Sequence, residues 1–209
     1  MEVIYPPRPE SRILPARLPE FEKTGRWVVQ RKFNGTRIQV YVHNGTVRLL
    51  HKGERPKQFI LTTGLKSEIL SLNLDPALVY WLDGELMDAK TKTSAYKGKI
   101  VLYDVLQAGR YFFGAPNLMG RLAVLDEICK HPTEKEPNLG IALRVTPNVW
   151  MAETFTTDFS KRFKDFILHN EIEGLVLKQK DSVIKNYGKK EYDVPWQIRC
   201  RKPNKLYEL

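Results

Sequence analysis

With 209 residues, 42% of them hydrophobic, the chain can bury a core as one large or two small domains. No run approaches the roughly 18 consecutive apolar residues of a membrane helix, the N-terminal MEVIYPPRPESRILPARLPEF lacks the apolar core of a secretory signal, and Cys129 and Cys200 match no disulfide framework or metal-ligand spacing. The formal charge is +10, and between Lys178 and Lys205 nine basic residues face three acidic ones, so that segment supplies +6 of it. A cytoplasmic protein with reduced thiols and no membrane partner is expected. The clustered charge suits a polyanion, nucleic acid before membrane, although a solubilising basic surface carries the same signature.

In chain order, residues 1–24 are rich in Pro and Arg and read as an extended lead-in with weak local structure. Strand patterns follow at 26–33, 36–43 and 46–51, a short helix at 64–72, and strands at 78–87 and 99–106. Asn117 to Lys130 reads as a helix with Leu118, Leu122, Leu125 and Cys129 on one face. A second helix fits 157–169, where Phe159, Phe163, Phe166 and Ile167 share a face. Strands return at 141–146, 173–178 and 196–201. Runs of strands broken by a few helices predict an α+β domain on antiparallel sheets, spanning 25–209 as one unit.

The polar residues inside apolar strands are the informative ones. WVVQRKFNGTRIQV places Lys32 just before a break at Asn34-Gly35, which is either a hairpin turn or something else. YWLDGELMD puts Asp83 and Glu85 two apart on one strand face. KIVLYDVL carries Tyr103 and Asp104 mid-strand, EIEGLVLKQK flanks an apolar run with Glu173 and Lys178, and WQIRCRK puts Arg199 and Arg201 on one face. Ionisable groups in buried strands are normally paired or bind something. Taken together these residues suit one ligand. Lys32, Lys178, Arg199 and Arg201 can surround a polyphosphate, Glu173 can hold a hard divalent cation, and Tyr103 can stack on a base. A lysine among cations and near a metal is a candidate nucleophile toward a nucleotide α-phosphate.

These stretches resemble the covalent nucleotidyltransferase superfamily of ATP-dependent DNA ligases, RNA ligases and mRNA-capping guanylyltransferases. The nucleophile motif Lys-x-Asp-Gly reads Lys32-Phe33-Asn34-Gly35-Thr36-Arg37 here, and the basic-Gly motif reads Lys52-Gly53. Asp83-Gly84-Glu85, Tyr103-Asp104, Glu173 to Lys178 and Arg199-Cys200-Arg201 match four further motifs in the family's order. The resemblance implies an ATP-grasp-like adenylation domain whose Lys32 becomes adenylylated by ATP. It implies that Gln30 reads the adenine amine, that Tyr103 and Val176 sandwich the base, and that Glu85 and Arg37 contact the ribose, Arg37 also the nicked strand's phosphate. Lys52 would assist near the nucleotide or the 5′ phosphate. Glu173 would bind magnesium, or manganese in its place, while Lys178, Arg199 and Arg201 neutralise phosphate charge. The expected partner is nicked duplex DNA, with RNA or a hybrid as alternatives, bound by a monomer through Arg37, Lys185, Lys189, Lys190 and Lys205.

Three departures from the family pattern stand out. Asn34 replaces the usual aspartate, and arginines replace both closing lysines, conserving charge but not geometry. Sliding the closing motif by one, to end at Lys202, would put Cys200 at a cationic position, so Arg199 and Arg201 are preferred. The sequence ends seven residues after Lys202, so the oligonucleotide-binding barrel that follows in DNA ligases is expected to be missing here. Either this is a compact phage-type ligase, or the sequence is a fragment, or the barrel is a separate chain. Two classes of function therefore stay open: an ATP-dependent polynucleotide ligase, and a nucleotide-dependent nucleic-acid binding module without turnover.

Overall fold

The computed structural model describes residues 5–51, 59–88, 90–133, 140–185 and 192–202. Its elements begin with β1 (Pro7–Ile13), α1 (Leu18–Lys23), β2 (Trp27–Phe33), β3 (Thr36–His43), β4 (Thr46–His51), α2 (Thr63–Leu70) and β5 (Tyr80–Leu86). There follow β6 (Ile100–Ala108), β7 (Arg110–Tyr111), α3 (Leu118–Ile128), β8 (Leu143–Arg144), β9 (Val149–Met151) and β10 (Thr154–Phe155). Helix α4 (Phe159–Phe166) and strands β11 (Ile172–Gln179) and β12 (Tyr192–Arg201) complete them. Two sheets result, one ordered β1-β12-β11-β2-β10, the other β4-β3-β5-β6-β9-β8 with β7 added beside β6. Among the described residues β1–β12 and β6–β9 pair in parallel and the remaining ladders are antiparallel.

The break at Asn34-Gly35 is not a hairpin. Strand β2 pairs with β11 and β10 in the first sheet, whereas β3 pairs with β4 and β5 in the second. The chain therefore changes sheet directly after Lys32. Gly35 is needed for close approach: an added Cβ would overlap the Leu86 carbonyl oxygen and lie 2.8 Å from Glu85 Cγ. The real hairpin turn is Asn44-Gly45, with φ of 45° and 69°, joining β3 to β4 with His43 opposite Thr46.

Two of the three apolar clusters among the described residues seat helices on the sheets. Trp27, Val29, Leu175, Leu177, Ile198 and Cys200 project from one face of the first sheet onto Phe159, Phe163 and Phe166 of α4. Each fully buried phenylalanine contributes about 1.5–3 kcal/mol through removal from water. Ile38, Val40, Leu82 and Leu102 of the second sheet pack on Leu65 and Ile69 of α2 and Leu125 and Ile128 of α3.

Several expectations change. The lead-in is extended over Pro7–Ile13 but is a paired sheet strand, and Leu18–Lys23 behind it is helical. The 157–169 helix contracts to Phe159–Phe166, and the 141–146 strand to Leu143–Arg144. The three-residue β9 and two-residue β10 are too short to carry a periodic signal. The buried face of α3 uses Leu118, Arg121, Leu125 and Ile128, with Leu122 only half-buried.

Candidate active site

Strand register places the first sheet's polar side chains on one surface. Residues directly opposite in an antiparallel ladder project to the same face. Val176 lies opposite Gln30 on one side and Arg199 on the other, and Gly174 lies between Lys32 and Arg201. Lys178 is opposite Gln197. The alternate face carries Ile198 and Cys200 into the core, so Arg199 and Arg201 face the cleft and Cys200 does not. Gln30 donates to Thr154 Oγ1 at 2.9 Å and to the Tyr103 carbonyl at 3.4 Å.

Strict alternation would point Glu173 away from this surface, since it neighbours Gly174. Strands β11 and β2 slip register between Ile172 and Gly174, and Gly174 takes a φ of 144°. A bulge of this kind re-aims a side chain. Glu173 thereby turns into the cleft, where its Oε2 lies 2.6 Å from Lys32 Nζ and 3.3 Å from Arg201 Nη2. Gly174 also leaves no room for a side chain, because a Cβ would overlap the Cys200 carbonyl and lie 2.8 Å from Arg201 Cα.

The second sheet forms the facing wall. Glu85 Oε1 accepts from the Gly35 N–H at 3.1 Å. Burial pushes the Glu85 carboxyl up to about 7, with Glu173 adding repulsion against the opposing pull of Lys32 and Arg37. Arg37 forks onto the Asp83 carboxylate, its Nε at 3.0 Å, and its Nη2 also reaches the Pro7 carbonyl at 3.0 Å. This arginine lines the cleft with its fork already engaged. The Tyr103 ring lies beneath both Lys178 Nζ, 5.0 Å from its centroid, and Arg37, at 5.9 Å. Burial pulls the Lys178 ammonium down to about 8, against the attraction of Asp104 and Asp83.

Between these walls is a cavity of about 280 Å³. It is lined by Lys32, Gln30, Arg37, Glu85, Tyr103, Glu173, Val176, Lys178, Arg199 and Arg201, and so gathers residues far apart in sequence. Sequence reasoning missed Arg8 and Pro9 of β1, His51, Lys90 and Gln197, which also line it. Lys90 Nζ donates to the Gly35 carbonyl at 3.2 Å, and the Asn34 side-chain amide donates to the Lys90 carbonyl at 3.4 Å. Glu171, buried, accepts from the Lys92 and Thr93 N–H groups at 2.9 and 2.7 Å, while its own carbonyl accepts from Asn34 N–H at 2.8 Å. It pins that loop to the turn after Lys32. Asp104 faces away from the cavity and pairs with the fully buried Arg121 of α3 at 2.9 Å. Lys185 is exposed and does not line the cavity, and Lys52, Lys189, Lys190 and Lys205 lie outside the described residues.

Among the described residues no group of three or more His, Cys, Asp or Glu is arranged to hold a metal ion. Glu173 and Glu85 nevertheless face one cavity with mutually unfavourable charge. One or two carboxylates completed by substrate phosphates is the donor set magnesium takes, and these two residues fit it.

No protein-family model and no curated protein matches the chain. Solved structures do. Mycobacterial DNA ligase D, complexed with ATP and MES, superposes with a TM-score of 0.63 at 19% identity, over 96% of this chain and 61% of that one. The ligase domain of LigD from M. tuberculosis gives 0.60 at 16% identity, over 93% and 58%. A Lig E DNA ligase gives 0.54 at 16% identity, over 95% and 70%. The chain spans about three-fifths of the length of the two LigD structures. At these identities the agreement is one of backbone architecture: the chain shares the fold of the part of these DNA ligase structures on which it superposes.

Proposed function

We propose that the chain is the nucleotidyltransferase part of an ATP-dependent DNA ligase and that Lys32 is its nucleophile. The observation that carries this reading is the position of Lys32 Nζ, 2.6 Å from Glu173 in a cation-lined cleft between two sheets. The two sheets would grip the nucleotide in the manner of an ATP-grasp domain. Lys32 Nζ attacks the α-phosphorus of ATP. The P–N bond forms, the bond to the bridging oxygen breaks, and pyrophosphate leaves with the electron pair. The Glu173 carboxylate holds Nζ in place, and the amine gives up one proton to solvent before it attacks and a second as the phosphoramidate forms.

Gln30 would read the adenine edge, with Tyr103 and Val176 on the faces of the ring. Glu85 would take the ribose, with Arg37 beside it, and Lys178, Arg199 and Arg201 would meet the charge developing on the phosphates. Glu173 would hold a magnesium or manganese ion together with phosphate oxygens, and such an ion would supply further charge neutralisation there. AMP then passes to a 5′ phosphate, and a 3′ hydroxyl displaces it to seal the nick. Arg37 would also face the nicked strand's phosphate, Lys52 would assist at the nucleotide or 5′ phosphate, and Lys185, Lys189, Lys190 and Lys205 would contact duplex phosphates. A monomer working in the cytoplasm fits this reading. DNA is favoured over RNA by the Gly35-x-Arg37 pattern and by the DNA ligase folds the chain superposes on.

The test is a chase. Protein incubated with α-labelled ATP and magnesium should acquire acid-stable label, and added nicked duplex bearing a 5′ phosphate should remove it as a sealed strand forms. Label from GTP in place of ATP would convert the reading to a capping-type enzyme. ATP binding without label would make the chain a binding module.

A further inference from the structure

Strand β1 reaches both walls of the cleft. The Pro7 carbonyl accepts from Arg37 Nη2 and the Pro9 carbonyl from Arg199 Nη2, each at 3.0 Å. Arg37 belongs to the second sheet and Arg199 to the first. Proline has no N–H to offer a ladder, which suits an edge strand whose carbonyls are spent on guanidinium groups. Between the two prolines, Arg8 lines the same cavity as Lys32, Arg199 and Arg201. Its Nε and Nη2 donate to Asp193, the residue opposite it on β12. Both side chains are close to half exposed, at 45% and 43%, and an exposed ion pair contributes little. A guanidinium fork gains more from a phosphate, which it meets with two charge-assisted hydrogen bonds.

We propose that Arg8 is a phosphate-binding residue of this site, held at the rim by Asp193 and transferred to a phosphate when substrate enters. The inference rests on the cleft being a nucleotidyl-transfer site and adds to it a residue from outside the motifs. The phosphate is either part of the nucleotide's polyphosphate or the 5′ phosphate of a nicked strand.

The experiment measures the Kd of inorganic tripolyphosphate and of nicked duplex for the whole chain and for R8Q, D193N and the double variant. Transfer makes the single substitutions act in opposite directions. R8Q should bind the relevant probe about tenfold more weakly, and D193N about two- to threefold more tightly. The gain from D193N should vanish in the R8Q background, which separates release of Arg8 from simple loss of a negative charge. An effect on tripolyphosphate assigns Arg8 to the nucleotide, and an effect on duplex alone assigns it to the strand. The proposal is overturned if both single variants weaken binding alike, if the D193N gain persists without Arg8, if neither variant changes either affinity, or if the unaltered chain binds neither probe. Unaltered protein that binds tripolyphosphate but never acquires label from ATP would instead sink the ligase reading alone.

Discussion

Lys32 and Glu173 meet at 2.6 Å although the strand ladder pairs Lys32 with Gly174. The bulge at Ile172–Gly174 brings the carboxylate to the amine, so the pairing of the proposed nucleophile with its acidic partner depends on one local irregularity. Glu173→Gln keeps the shape and removes the charge. We expect its rate of ATP labelling to fall about a hundredfold or more, with a weakened response to magnesium concentration. An unchanged magnesium midpoint would remove Glu173 from the metal assignment.

Glu85 gives a stability prediction. Its carboxyl is raised from 4.5 to about 7 in the folded chain, so between those values the native state binds more protons than the unfolded state. Stability contributed by the protonated group is therefore lost as pH rises through about 7. Glu85→Gln removes that loss while its amide oxygen still accepts from Gly35 N–H. The variant should be more stable than the parent at pH about 8, by at most about 3 kcal/mol, and should lose the advantage below pH about 4.5. Equal thermal midpoint differences at both pH values would refute this.

Lys178 gives the corresponding kinetic prediction. Burial brings its ammonium down to about 8, and in the proposed reaction its positive charge would meet the phosphates. The labelling rate at subsaturating ATP should carry a falling limb above pH about 8, since that condition reports the free protein. Lys178→Arg should lose the limb because guanidinium does not deprotonate there. A limb that survives the substitution belongs to another group.

The buried pair behind the site tests the scaffold. Arg121 is fully buried against Asp104 and also donates to the Ser182 carbonyl at 3.1 Å. Arg121→Met strands a buried carboxylate and should cost about 3–5 kcal/mol in chemical denaturation, most of it recovered in the double variant with Asp104→Asn. A loss below about 1 kcal/mol would mean the pair behaves as an exposed one.

Much of the cleft was legible in the sequence because its residues come from strands with clear apolar alternation. Lys32, Lys178, Arg199 and Arg201 interrupt such runs, and their register follows from ordinary pairing. What stayed hidden lacked that contrast. Strand β1 reads PRPESRI, an edge strand with little to bury, and local pattern does not reveal that its carbonyls hold Arg37 and Arg199. Arg121 is a charge on the apolar face of α3, and its partner Asp104 lies on a strand 17 residues earlier. Asn34-Gly35 has the composition of a hairpin turn, and only the separate partners of β2 and β3 show that the chain changes sheet there.

The central claim is that one amine carries the nucleotide. After incubation with ATP and magnesium, proteolysis and mass spectrometry should find a single added AMP, on Lys32, and Lys32→Arg should show none while keeping the parent's thermal midpoint. AMP on any other residue, or retained by a folded Lys32→Arg variant, would contradict the account.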